Sequence, residues 1–381
     1  MNWRRAAAVC AVACAVTCAG CAGQAPVPIS AAPRPAPSRV PWPERGVLRE
    51  DARLLAASQV LDLAAGILYA LVPASPASGF GPYSLQAIDL RTGRVRRGES
   101  YPVSGLALAS GYLWVYGSSG TAGRPVLDEA DPGTLATARS VLVPGVSGVA
   151  AVAAGPAGTV WAGAGRRLLR VSVSTGAVLA RAVLPPGLDL TDLAAGPGEV
   201  NLYASAARLR PGGAVVLEFS AGTGGLRAQT GRTPLTWSAG GAQLAAVPAG
   251  VWVSFRTGML GLSLLLSARS LSMINEAPAG SAADSPVTGS GTVYSWAMGS
   301  VAAYGGGALW VATSSGLVAC VNPLTGTVRS QGVMTSRQGL VVAVLAADPT
   351  AREVAAVVSD GGYTGVVAIS PPRACWSPRP T

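Results

Sequence analysis

The chain of 381 residues contains no histidine, and its 28 basic residues are all arginine. Those two absences remove much of ordinary catalytic chemistry. Without imidazole there is no Ser-His-Asp triad, no general base titrating near neutral pH and no His-ligated metal. Without lysine there is no Schiff-base nucleophile, because arginine stays protonated. The arginine-only usage fits a GC-rich coding bias, with selection for anion binding as the alternative. Acidic residues number 18 and are spread over the chain, with two local groups. Asp128-Glu129-Ala130-Asp131 looks like a metal-binding stretch, although the Pro132-Gly133 that follows reads as a solvated turn. Asp189 and Asp192 stand just before an apolar run. They can be read as paired carboxylates or, more plainly, as a polar loop. Cys320 and Cys375 would meet an oxidising compartment as a disulfide or as two separate thiols. These types and spacings point to no catalytic residue, no metal and no cofactor.

The N-terminus supplies an address. Met1-Asn2-Trp3-Arg4-Arg5 precedes an apolar run from Ala6 to about Thr17, which reads as a secretion signal too short to span a membrane. The run ends Cys18-Ala19-Gly20-Cys21, which resembles a bacterial lipobox. Ala19, Gly20 and Cys21 match it, while Cys18 stands where leucine is usual. The resemblance implies a lipid on Cys21; ordinary cleavage nearby is the other reading. Prolines at 26, 28, 33, 35, 37, 41 and 43 then favour an extended tether. At about 3.1 Å per residue, Pro26 to Pro43 reaches roughly 55 Å. The expected organisation is a signal peptide over 1–20, a lipidated cysteine and disordered tether over 21–50, a folded body over 51–371 and a tail over 372–381. The expected location is the extracytoplasmic side of the cell membrane, or the exterior if no lipid is added.

The elements of the body follow from composition and repetition. Charged residues are 12% and hydrophobic residues 50%, with 49 Gly and 29 Pro, which excludes charge-rich disorder and favours short strands and turns. Each unit has an Ala-rich strand a, a turn, and a strand b with an aromatic. The aromatics are Tyr69, Trp114, Trp161, Tyr203, Trp252 and Trp310, at intervals of 45, 47, 42, 49 and 58 positions. A seventh copy at Val342–Val358 has none. A third strand c ends in a polar turn, as in Asp89-Leu90-Arg91-Thr92-Gly93, Ser172-Val173-Ser174-Thr175-Gly176 and Asn322-Pro323-Leu324-Thr325-Gly326. Asp89 or Asn322 can close an Asx turn there. Four strands per period of about 40–50 residues predict an all-β, seven-bladed β-propeller of four-stranded antiparallel blades. Trp114, Trp161, Trp252 and Trp310 are expected as core between blades. Pro371-Pro372 leaves the last blade one strand short, so Gly46–Ala57 is expected to return as its outer strand.

The Asp-x-x-Thr-Gly turn of the third strand resembles the YVTN-type and quinoprotein-like β-propeller families, over about Ala52–Ser370. It does not resemble WD40 repeats, whose Gly-His element is impossible without histidine. The resemblance implies a secreted or envelope protein that binds or scaffolds. Pyrroloquinoline quinone dehydrogenases share the repeat, but their adjacent-cysteine pair is missing here. Related antibiotic lyases rely on histidine, also missing. The leading reading is a non-catalytic membrane-anchored lipoprotein that binds an envelope protein, a glycan or an anionic ligand. A quinoprotein-like or lyase-like enzyme, or an envelope assembly or sensor factor, is the alternative. Formal net charge is +10, about +8 without Arg4 and Arg5, which favours acidic partners. Nucleic acid is disfavoured because no basic stretch is interleaved with aromatics. The loops joining strands b and c should share one face with those joining d and a. That face gathers Phe80, Tyr83, Arg124, Arg208, Arg210, Phe255, Arg256 and Tyr363 as the candidate binding surface.

Overall fold

The computed structural model describes residues 44–50, 58–74, 82–103, 105–119, 124–143, 146–208, 213–230, 242–257, 260–268, 270–276, 301–312, 317–324, 328–333, 341–348, 352–359 and 364–376. The signal segment, Cys21 and the proline-rich stretch lie outside them. Among the described residues no helix is long and apolar enough to cross a membrane.

Among the described residues twenty-eight strands form seven four-stranded antiparallel sheets. Blade I is β2 (Ser58–Asp62), β3 (Ile67–Pro73), β4 (Tyr83–Asp89) and β5 (Val95–Tyr101). Blade II is β6 (Gly105–Ala109), β7 (Tyr112–Ser119), β8 (Arg124–Ala130) and β9 (Thr137–Ser140). Blade III is β10 (Ala151–Gly155), β11 (Thr159–Ala164), β12 (Arg167–Ser172) and β13 (Val178–Val183). Blade IV is β14 (Leu188–Ala195), β15 (Asn201–Arg208), β16 (Ala214–Ser220) and β17 (Leu226–Gln229). Blade V is β18 (Ala242–Val247), β19 (Gly250–Thr257), β20 (Leu260–Ser267) and β21 (Met273–Glu276). Blade VI is β22 (Val301–Gly305), β23 (Ala308–Ala312), β24 (Leu317–Val321) and β25 (Val328–Val333). Blade VII is β26 (Val341–Asp348), β27 (Glu353–Ser359) and β28 (Thr364–Ile369), completed by β1 (Glu44–Glu50) from the other end of the chain. The seven innermost strands touch one another in sequence, and β26 touches β2, so the ring is closed. The closing strand pairs Glu44 with Ile369 and Glu50 with Gly365. It begins earlier than Gly46, and it takes seven residues from the stretch that the proline pattern assigns to the tether.

Packing explains the repeat. Strand b lies between two blades, so both its faces are covered, and all of β11 is buried. Seven apolar clusters fill the seven junctions. In six of them the strand-b aromatic packs against the following blade: Tyr69 on blade II, Trp114 on III, Trp161 on IV, Tyr203 on V, Trp252 on VI and Trp310 on VII. Among the described residues the junction of blades VII and I is packed by aliphatic side chains, where the seventh repeat lacks its aromatic.

The turns between strands c and d explain the rest of the pattern. Asp89 Oδ1 accepts the amides of Arg91 and Thr92, and Asp131 Oδ1 those of Gly133 and Thr134. Gly93, Gly176 and Gly224 take left-handed backbone at φ 71°, 71° and 76°. In blades II and V that place is held by Leu135 (φ 62°) and Leu271 (φ 50°). A leucine there costs about 1–2 kcal/mol. Both are buried against the preceding blade, and burying a leucine returns about 1.5–3 kcal/mol. Arginines then stitch blade to blade by donating to the next blade's turn carbonyls. Arg96 reaches Pro132 O at 3.0 Å and Gly133 O, Arg139 reaches Val173 O, and Arg170 reaches Gly222 O.

The C-terminus is fastened as well. Cys320 in β24 and Cys375 are joined by a disulfide with 5.7 Å between Cα atoms, and both are buried. Trp376 packs on Trp310 with ring centroids 4.9 Å apart. The crosslink spans 55 residues, for which loop entropy gives about 4 kcal/mol. It ties blade VI to the end of blade VII, so part of the expected tail belongs to the body.

Candidate functional site

The strands place the candidate surface residues at the end of the blades where b passes to c. Tyr83 and Arg124 open the third strands of blades I and II; Tyr83 is half-buried and Arg124 exposed. Arg208 ends β15 and is half-buried, and Phe255 and Arg256 lie near the end of β19. Tyr83, Arg124, Arg208, Phe255 and Arg256 are therefore strand residues and not loop residues as expected. The ladders run further than the sequence suggests: Arg208 is paired with Leu188, and Phe255 with Ala242. Phe80, Arg210 and Tyr363 lie outside the described residues.

Near the same end the inner strands of blades IV, V and VI and the second strand of blade V border a half-open cavity of about 170 Å³. It is lined by Asp192, Gln243, Leu244, Ser254 and Ala302. Asp192 enters through a bulge. Leu190 pairs with Ala206 and Asp192 with Ser205, so Thr191 is left without a partner of its own in the ladder. The Thr191 hydroxyl lies 3.0 Å from both the carbonyl and the hydroxyl of Ser205, and Ser205 Oγ accepts the Ala242 amide. The bulge carries Asp192 towards blade V. Its Oδ1 accepts the amide of Leu193 at 2.8 Å, and its Oδ2 accepts the amide of Leu244 at 2.9 Å. The carboxylate thereby joins the inner strands of two blades. Burial pushes its pKa up to about 6 despite these two amides, which pull it down. Tyr116 of blade II is pushed up to about 12, first by burial and then by the charge of Asp192.

Both acidic groups differ from expectation. Asp189 and Asp192 belong to β14 itself and not to a loop before it; Asp189 is exposed and Asp192 is half-buried. Asp128 and Glu129 are half-buried on β8, and only Asp131 is in the turn. Burial holds the Asp128 carboxyl above the usual range. Among the described residues no group of three or more His, Cys, Asp or Glu could hold a metal. Gln243 and Ser254 have no signal in the sequence, because their meaning depends on three blades converging. The bulge that aims Asp192 has none either.

No protein-family model matches the sequence, and none of the curated proteins does. Solved structures match by shape. The Pan2 WD40 domain of Neurospora crassa superposes with a TM-score of 0.56 at 13% identity, covering 83% of this chain and 89% of that one. The computationally designed protein Ika8 gives 0.52 at 13%, covering 83% and 97%. BamB from Moraxella catarrhalis gives 0.47 at 16%, covering 81% of each chain. The chain is a β-propeller. The likeness to a WD40 domain coexists with a sequence that cannot contain that family's Gly-His element, so it is a likeness of fold alone.

Proposed function

We propose that this chain is an extracytoplasmic lipoprotein held by a lipid on Cys21, with a propeller that binds an envelope partner and carries out no chemistry. The partner is a protein, a glycan or another anionic ligand. The observation that carries the binding reading is convergence. Tyr83, Arg124, Arg208 and Arg256 rim the same end of the ring towards which the Asp192 cavity lies. Arg124 is exposed and Tyr83 and Arg208 are half-buried, and arginines and aromatics on a rigid frame are the types that anchor interfaces. The anchor rests on Ala19-Gly20-Cys21 and on the prolines behind it.

Fatty-acid labelling should tag the protein, and Cys21→Ser should abolish the tag and release it from membranes. A tag that survives Cys21→Ser overturns the anchor. Substituting Arg208, Arg210 and Arg256 by alanine should leave the fold intact and abolish salt-sensitive retention on immobilised envelope material. If retention persists, and is instead lost with Arg91, Arg94 and Arg329 substituted, the binding face is the opposite one.

A further inference from the structure

We propose that the cavity at Asp192 receives a primary alkylammonium group, presented as a lysine side chain by an acidic segment of the partner. The inference rests on the reading of this end of the ring as the binding face.

Its chemistry is that of an acceptor site. A carboxylate offers about four lone-pair positions, and two of those on Asp192 are taken by the amides of Leu193 and Leu244. The others can take a donor entering the cavity. Gln243 and Ser254 make the rest of the polar lining neutral, while Leu244 and Ala302 supply apolar wall for a methylene stem. Size agrees, since an apolar cavity of about 150 Å³ accommodates a group as large as benzene. A free anion would face the Asp192 carboxylate, and no arginine is among the described residues that line the cavity. A metal would find too few ligands among the described residues. The chain cannot supply a lysine of its own, having none. The arginine rim and the acidic cavity together select a lysine flanked by acidic residues. A patch of one sign would attract any acidic surface, whereas this pairing rejects partners that lack the cation.

The test uses the full chain and three small probes at matched ionic strength: n-butylammonium, 1-butanol and butyrate. The readout is the NMR shift of the Leu193 and Leu244 amides, which bond to the carboxylate. Butylammonium should shift both saturably, 1-butanol should bind about tenfold or more weakly, and butyrate should leave both in place. Asp192→Asn should weaken butylammonium by about tenfold or more. If that variant fails to fold, Ala302→Leu fills the cavity with the carboxylate intact and should also abolish the shifts. Equal responses to butylammonium and 1-butanol, or undiminished binding in either folded variant, overturn the proposal. Partner binding separates the two claims. If it survives Asp192→Asn but is lost with the Arg208, Arg210 and Arg256 substitutions, the lysine site is wrong and the binding face stands. If butylammonium binds as described while those substitutions leave the partner bound, the binding face is wrong.

Discussion

The junction of blades III and IV and the cavity between blades IV, V and VI use polar groups in opposite ways. At the junction, Trp161 Nε1 donates to Ala221 O at 3.0 Å, and Arg170 donates to Gly222 O. The donors there meet carbonyls of a turn that needs them, and the result is a seam. Gly224 sits under the indole, where a Cβ would lie 2.9 Å from Trp161 Cη2. At the cavity, Asp192 has acceptor capacity left over and a carboxyl pushed up to about 6. Its environment disfavours the charge it carries at neutral pH. Polar groups matched within the fold contribute to stability, and polar groups held in a costly state are the ones that mark sites.

The largest effect that could break this contrast is at the seam. Trp161 is fully buried and touches residues of both blades. Trp161→Ala should cost about 3–5 kcal/mol of unfolding free energy, measured by chemical denaturation. It should leave butylammonium binding at Asp192 unchanged wherever the protein remains folded. A loss below about 1 kcal/mol would mean that blades III and IV are not held by this side chain.

The next effect belongs to Asp192 and has a sign. Its folded pKa of about 6 exceeds the ordinary carboxylate value of 3.8. The folded state therefore holds the proton more tightly. The stability this contributes is full below the ordinary value and is lost as pH rises through about 6. A rise of that size corresponds to at most about 3 kcal/mol. Asp89 and Asp131, with carboxyls held below the usual range by turn amides, work in the opposite direction and at lower pH. Asp128 and Glu218 are raised by burial and share the direction of Asp192. The difference between wild type and Asp192→Asn isolates the one residue. The wild-type protein should lose more stability than the variant between about pH 4 and about pH 8, by up to about 3 kcal/mol. Equal slopes would mean that Asp192 is not strained by its surroundings.

The fold was largely legible because a propeller repeats its physics. Six of the seven strands b carry an aromatic between blades, and the turn after strand c must reverse the chain, so Trp114 and Trp161 repeat one signal and Gly93 and Gly176 another. Where the signal failed, another side chain did the same work. Leu135 and Leu271 replace the turn glycine and plug the preceding blade, which no turn preference predicts. The cavity was hardly legible. Asp189 and Asp192 looked alike in sequence, and a bulge between them exposes one and turns the other towards blade V. Gln243 and Ser254 come from one hairpin and Ala302 from the next blade, so spacing along the chain carries no trace of their meeting. Arginine was the least legible residue. Composition suggests an acidic partner, yet Arg96, Arg139 and Arg170 are used within the ring.

The smallest predicted effect tests that internal use of arginine. Arg170 lies opposite Trp161 in the ladder, and its guanidinium reaches across to the turn of blade IV. Charge-assisted hydrogen bonds are worth about 1.5–3 kcal/mol when broken. Two features reduce the figure here. Ala221 O, at 3.5 Å from Arg170 Nη1, keeps its shorter bond from the indole of Trp161. The Arg170 Nε is buried with no hydrogen-bond partner, and a methionine would remove that penalty while keeping much of the apolar stem. Only Gly222 O loses a donor, and it lies in an exposed turn that water can reach. Arg170→Met should therefore cost about 1 kcal/mol in chemical denaturation and leave salt-dependent partner binding unchanged. Loss of partner binding in a variant of normal stability would move Arg170 from the seam to the binding surface. The contrast between matched and reserved polar groups would then fail at the residue where the two regions come nearest in chemistry.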